Sequence, residues 1–106
     1  MAGNEFLVFI GAYTQRDGSG ISVARFNADT GELTTPELVV ELANPSFVAL
    51  HPSLSHLYAV TEFDDYQGDV IGALSAFNVD RSSGKLTFLN RQPTNGPGPC
   101  HVNVDA

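Results

Sequence analysis

The sequence predicts an all-β chain of four-stranded antiparallel meanders, and three observations carry that prediction. Between Pro45 and Asn95 lie four short apolar runs, each closed by turn residues: Pro-Ser-Phe-Val-Ala-Leu, His-Leu-Tyr-Ala-Val-Thr-Glu, Gly-Ala-Leu-Ser-Ala-Phe-Asn-Val and Lys-Leu-Thr-Phe-Leu-Asn-Arg-Gln. The pattern repeats at an offset of roughly 50 residues. Phe26-Asn27-Ala28-Asp29 is echoed by Phe77-Asn78-Val79-Asp80, and Asn44-Pro45-Ser46-Phe47-Val48 by Gly98-Pro99-Cys100-His101-Val102. No apolar stripe of helical period runs through the chain, and Gly and Pro interrupt it at short intervals. A four-strand meander of this size is one blade of a β-propeller.

The elements follow in order. Met1 to Asn4 is expected to fray. Glu5 to Tyr13 is rich in strand formers and apolar on both parities, the pattern of a strand covered on both faces. Thr14 to Gly20 is polar and glycine-rich, a loop. Ile21 to Asn27 is a strand, with Asp29-Thr30-Gly31 as its hairpin turn. Leu33 to Leu42 holds the next strand, which lies at an edge or starts after Pro36, because proline donates no ladder hydrogen bond. The four runs from Pro45 follow as strands a, b, c and d. Residues 62–71 are expected to be the loop between b and c.

In strand letters the chain reads b-c-d, then a-b-c-d, then a. Residues 5–44 form a first partial blade, 45–98 a second and 99–106 the first strand of a third. Two blades cannot close a ring, since propellers have about four to eight. The chain is therefore expected to be part of a longer protein, or to assemble with copies of itself until the ring is closed.

Composition narrows the partners. The formal net charge of the 106 residues is −7, with five Lys and Arg in all. A nucleic-acid surface needs a basic stripe and an anionic membrane needs basic residues, so neither partner is expected. One cysteine, Cys100, excludes an internal disulfide and favours a reducing compartment. The apolar run Phe6 to Ile10 lacks the basic flank of a secretory signal. No run approaches the roughly 20 apolar residues of a membrane span.

A meander places the d–a and b–c connections at one mouth of the ring and the a–b and c–d turns at the other. The first mouth carries the longer connections, and binding sites concentrate on loops held by a rigid scaffold. Glu62 closes strand b there and His101 opens the next strand a. His101 is a candidate general base or acid; the alternative is a packed core histidine, and its counterpart in the first repeat is Phe47. Glu62 is a candidate carboxylate in an apolar strand; the alternative is a solvated strand-end charge. Cys100 and His101 are adjacent, so on a strand they point to opposite faces and do not form a thiolate–imidazole pair. Asp64, Asp65 and Asp69 lack calcium-loop spacing and read as a solvated acidic loop. No cofactor or metal is expected.

At these residues the chain resembles the seven-bladed β-propeller lactonases of the bacterial 6-phosphogluconolactonase type, to which fungal 3-carboxy-cis,cis-muconate cyclases are related. Phe9-Ile10-Gly11-Ala12-Tyr13-Thr14 is similar to the family's opening strand. Leu57 to Glu62 is similar to its Leu-Tyr-Ala-Val-Asn-Glu run, with Thr61 in place of Asn. Gly98-Pro99-Cys100-His101, closed by Asp105, is similar to its Pro-Cys-His signature. The resemblance implies a cytoplasmic hydrolase that opens a small sugar-acid lactone, with Glu62 and His101 in its site and Tyr13, Asn103 and Asp105 as lesser members. Arg16 is the cation at this mouth suited to a phosphorylated substrate. A cycloisomerase of the muconate type and a non-catalytic binding propeller remain the alternatives.

Overall fold

The computed structural model describes residues 3–14, 20–66 and 69–105. Seven antiparallel strands form two sheets: β1 (Glu5–Ile10), β2 (Gly20–Asn27) and β3 (Glu37–Glu41) in one, and β4 (Phe47–Leu50), β5 (His56–Tyr66), β6 (Asp69–Val79) and β7 (Leu86–Pro93) in the other. Both sheets are meanders in sequence order. Strands consecutive in sequence pair antiparallel, in a three-stranded and a four-stranded meander. No described helix is long and apolar enough to cross a membrane.

The turns explain the register. After β2, the Asn27 side chain accepts from the backbone N–H of Asp29 at 2.9 Å and of Thr30 at 3.3 Å. After β6, Asp80 does the same for Ser82 and Ser83 and also accepts from the Ser82 hydroxyl at 2.7 Å. The Ser82 hydroxyl, with the turn amides behind it, holds the Asp80 carboxyl below the usual carboxylate range. Gly31 and Gly84 then take left-handed backbone, φ 78° and 80°, where a side chain is costly. The two turns are the same device, each set before the last strand of its sheet. β3 begins directly after Pro36 and is an edge strand, as a residue without an N–H requires.

The core lies between the sheets. Ile21 of the first sheet packs with Leu57, Ala59, Phe77 and Leu86 of the second, all buried, and Phe9, Val40, Leu42 and Val48 extend the contact. Phe77 is fully buried and meets Phe88 edge-on, ring centroids 5.8 Å apart.

Three expectations change. The connection after Glu62 is not a loop: β5 runs on to Tyr66 and β6 begins at Asp69, and residues 64–66 pair with 69–71 while 62 and 63 lie in the register shift between. The ladder absorbs this through a register shift between Thr61 and Asp64. β1 is not covered on both faces: Phe6 is exposed and its other residues are half-buried, and Phe6, Leu7 and Phe9 line an open groove. Residues 99–105, expected as a strand, take no strand conformation; a strand exists through its ladder partner, and none lies beside this segment among the described residues.

Two close backbone approaches fix the sheet geometry. A Cβ on Gly11 would run into the Pro45 carbonyl oxygen, and one on Gly72 into the Pro99 ring. Gly11→Ala is expected to lower the unfolding free energy by about 1–3 kcal/mol, and Phe77→Ala by about 3–5 kcal/mol. Urea unfolding midpoints of the two variants check both; an unchanged midpoint for Gly11→Ala would show that the crossover yields freely.

Candidate functional site

The site grows from two chain crossovers, one leading into β4 and one following β7. Each crossover is an X-Pro step with X in left-handed conformation: Asn44 before Pro45, φ 46°, and Gly98 before Pro99, φ 77°. The residue before proline avoids the right-handed helical region. Asn and Gly are the residues that best tolerate the left-handed one. These two residues hold Glu62 between them. The Glu62 N–H points to the Asn44 carbonyl at 3.4 Å, and the Gly98 N–H donates to the Glu62 carbonyl at 2.8 Å. Glu62 sits where the β5–β6 ladder shifts register, and such a shift re-aims a side chain.

The Glu62 side chain is 8% exposed. The Tyr13 hydroxyl donates to its Oε2 at 2.7 Å, across 49 residues of sequence. Tyr13 follows the end of β1 and is itself 59% exposed. The Ser46 hydroxyl, then the Tyr13 hydroxyl, hold the Glu62 carboxyl below the usual carboxylate range, against a smaller opposing effect of burial. Ser46 Oγ is buried and closes no hydrogen bond of ordinary geometry, so it acts on the carboxylate as a nearby dipole. The same bond, followed by desolvation and the charges of Glu62 and Cys100, pushes the Tyr13 phenol up. The pair is therefore a carboxylate accepting from a neutral phenol, and it can offer its second oxygen to a substrate or a proton.

Behind Tyr13 lies a second contact. The Thr14 N–H donates to Asn44 Oδ1 at 3.0 Å, and the Asn44 N–H donates to Thr14 Oγ1 at 2.9 Å.

His101 is exposed and packs its ring on Phe47, centroids 4.6 Å apart and planes at 51°. These are the two positions that the repeat makes equivalent, so corresponding positions of successive units touch. Phe47 pairs with Val60, two residues before Glu62, which brings His101 to the Glu62 end of β5. Among the described residues no hydrogen bond joins His101 to Glu62, and Phe47 is the ring's one neighbour in an aromatic contact. Asn103 and Asp105 are exposed on the same final segment. Cys100 is exposed and is a free thiol. Arg16 lies outside the described residues. No group of three His, Cys, Asp or Glu residues among the described ones stands together as a metal site. A groove of about 650 Å³ lies at the opposite mouth, between Phe6, Leu7, Leu50 and Leu54, with Arg81 at its rim; none of the site residues lines it.

Sequence reasoning singled out Glu62, His101 and Tyr13 but not Asn44, Thr14 or Ser46. Asn44 did carry a signal: an Asn before Pro, aligned with a Gly before Pro, points to left-handed backbone.

The lowered carboxyl makes a stability prediction. The pKa of Glu62 in the fold lies under its ordinary 4.5, so its ionised form stabilises the fold above that value. The contribution is lost as pH falls through the lower folded pKa. Wild type is expected to exceed Glu62→Gln in stability at neutral pH, and the gap to narrow below 4.5. Chemical unfolding of both across that range checks it; a gap independent of pH would contradict it.

The chain matches the family model "Lactonase, 7-bladed beta-propeller" over residues 7–106. It is 35% identical to a 6-phosphogluconolactonase of Bacillus subtilis, over 95% of this chain and 28% of that protein. It superposes on a crystal structure of a provisional 6-phosphogluconolactonase from Bacteroides fragilis with a TM-score of 0.85 and 36% identity, covering 97% of this chain and 28% of that one. It is also similar to a periplasmic gluconolactonase of Pseudomonas aeruginosa, TM-score 0.80 and 28% identity, covering 90% of this chain and 26% of that one. The chain thus spans little more than a quarter of the length of these relatives.

Proposed function

The chain belongs to the seven-bladed β-propeller lactonase family, and on that premise we propose that the complete protein hydrolyses a sugar-acid lactone, 6-phosphogluconolactone foremost. The observation that carries the reading is the buried carboxylate of Glu62, kept ionised by hydroxyls and set at the same end of β5 as His101. Relatives named for this activity match nearly the whole chain.

In the proposed reaction the His101 imidazole takes a proton from water as the water oxygen attacks the lactone carbonyl. The tetrahedral intermediate collapses, the ring C–O bond breaks, and the leaving alkoxide takes the proton back from His101. The product is a hydroxy acid. Glu62 favours the imidazolium through its fixed negative charge, and Tyr13 holds that carboxylate in place. Exposure of His101 suits a group that meets both water and substrate; its packing on Phe47 limits the ring's freedom. Asn103, on the same segment, is the further substrate contact.

A phosphate on the substrate calls for cations, and Arg16 is this chain's candidate. The ring is completed by further blades of the same protein, whose strands cover the edge of β1 opposite β2 and the apolar groove beside Phe6 and Leu50. Membership in the oxidative pentose phosphate route would place the enzyme in the cytoplasm.

His101→Ala in the complete protein is expected to lower kcat/KM for 6-phosphogluconolactone by about 10²-fold or more, read by pH-stat or coupled assay; near-wild-type turnover would remove His101 from the mechanism. Arg16→Ala is expected to raise KM for the phosphorylated lactone and leave that for the unphosphorylated gluconolactone unchanged. Equal effects on both substrates would take the phosphate away from Arg16.

A further inference from the structure

We propose that the reciprocal contact between Thr14 and Asn44 is a positioning device, which fixes Tyr13 so that its hydroxyl stays on Glu62. The inference rests on the proposed site, and adds to it two residues that do not touch the carboxylate through their side chains. Tyr13 reaches Glu62 from a segment that has already left β1, and its side chain is mostly in solvent. A single bond from such a segment costs the ordering of backbone and side chain. The structure meets this cost next door. Thr14 is tied to Asn44 through its N–H and its hydroxyl, at 3.0 and 2.9 Å, and a longer approach of the Thr14 hydroxyl to Asn44 Oδ1 at 3.5 Å completes the ring.

Asn44 is the fixed partner. Its left-handed backbone is set by the crossover, and its carbonyl accepts from the Ser46 N–H at 2.8 Å and faces the Glu62 N–H. One residue therefore holds the backbone of Glu62 with its carbonyl and the neighbour of Tyr13 with its side chain. The distance between phenol and carboxylate is defined by a short path, Tyr13–Thr14–Asn44–Glu62, that does not pass through the core. A glycine at 44, as at the equivalent position 98, would satisfy the backbone but not Thr14. That difference between two otherwise matching crossovers is what the device explains.

The groups that act on Glu62 are Tyr13 from the β1 side, Ser46 from the crossover and, through Tyr13, Cys100; His101 stands over Phe47 nearby.

The test uses the complete protein with carbon-13-labelled glutamate, following the Glu62 carboxyl by NMR during acid titration, with Glu62→Gln to assign it. Thr14→Val and Asn44→Gly are expected to move the Glu62 titration to higher pH, in the direction of Tyr13→Phe. Thr14→Ser should restore the wild-type curve. Adding Thr14→Val to Tyr13→Phe should produce no further movement. In activity, Thr14→Val should lower kcat roughly tenfold with KM little changed, since misplacement of a catalytic group acts on the chemical step. A wild-type titration in Thr14→Val, or a double variant shifted by the sum of both, would overturn the proposal. The titration needs no turnover: a protein without lactonase activity would sink the functional reading while the NMR result still decides on the device.

Discussion

The candidate carboxylate depends on the backbone of one residue being held from both sides. The Glu62 N–H faces the carbonyl of Asn44 in the crossover before β4, and the Glu62 carbonyl takes the N–H of Gly98 in the crossover after β7. Ordinary ladder bonds tie a strand to its neighbours in one sheet. These two tie the end of the regular β5 ladder to the crossover before β4 and to the crossover after β7. The carboxylate is thereby registered to the joint between successive units rather than to one sheet.

The chemistry of the joint follows from its backbone. Each crossover turns through a left-handed residue and then a proline. Gly11 and Gly72 are bare because the prolines that follow these turns lie against them. The tight approach excludes water from Glu62, which by itself would favour the neutral acid. Hydroxyls from Ser46 and Tyr13 reverse that preference. Such an arrangement suits a fixed negative charge. It suits a proton donor poorly.

The repeat places like beside like. Phe47 and His101 occupy equivalent positions and end in ring contact. One blade's structural aromatic thus becomes the support for the next blade's titratable ring. Asn44 and Gly98 show the same division: the backbone role is common to both, while the Asn side chain adds the link to Thr14. A repeated scaffold can acquire a site in this way, through single departures at positions whose backbone the fold already dictates.

The sequence by itself determined the strands, their order and their period, because alternation of apolar runs with Asn, Asp, Gly and Pro is local information. It also marked Glu62 and His101 as titratable residues at one mouth, since a meander's parity assigns the ends of strands without knowledge of packing. Only the tertiary structure decided which groups meet. Tyr13 and Glu62 are 49 residues apart, and no periodicity predicts a bond between an exposed phenol beyond one strand and a buried carboxylate in another sheet. The extension of β5 to Tyr66 was hidden for a related reason: Asp64, Asp65 and Asp69 read as a solvated acidic loop, whereas a register shift after Thr61 and cross-strand pairing carry them as strand. The final segment from Pro99 is the converse case. Its residues have the composition of a strand, but strand structure is conferred by a partner, and that partner is a matter of the whole assembly.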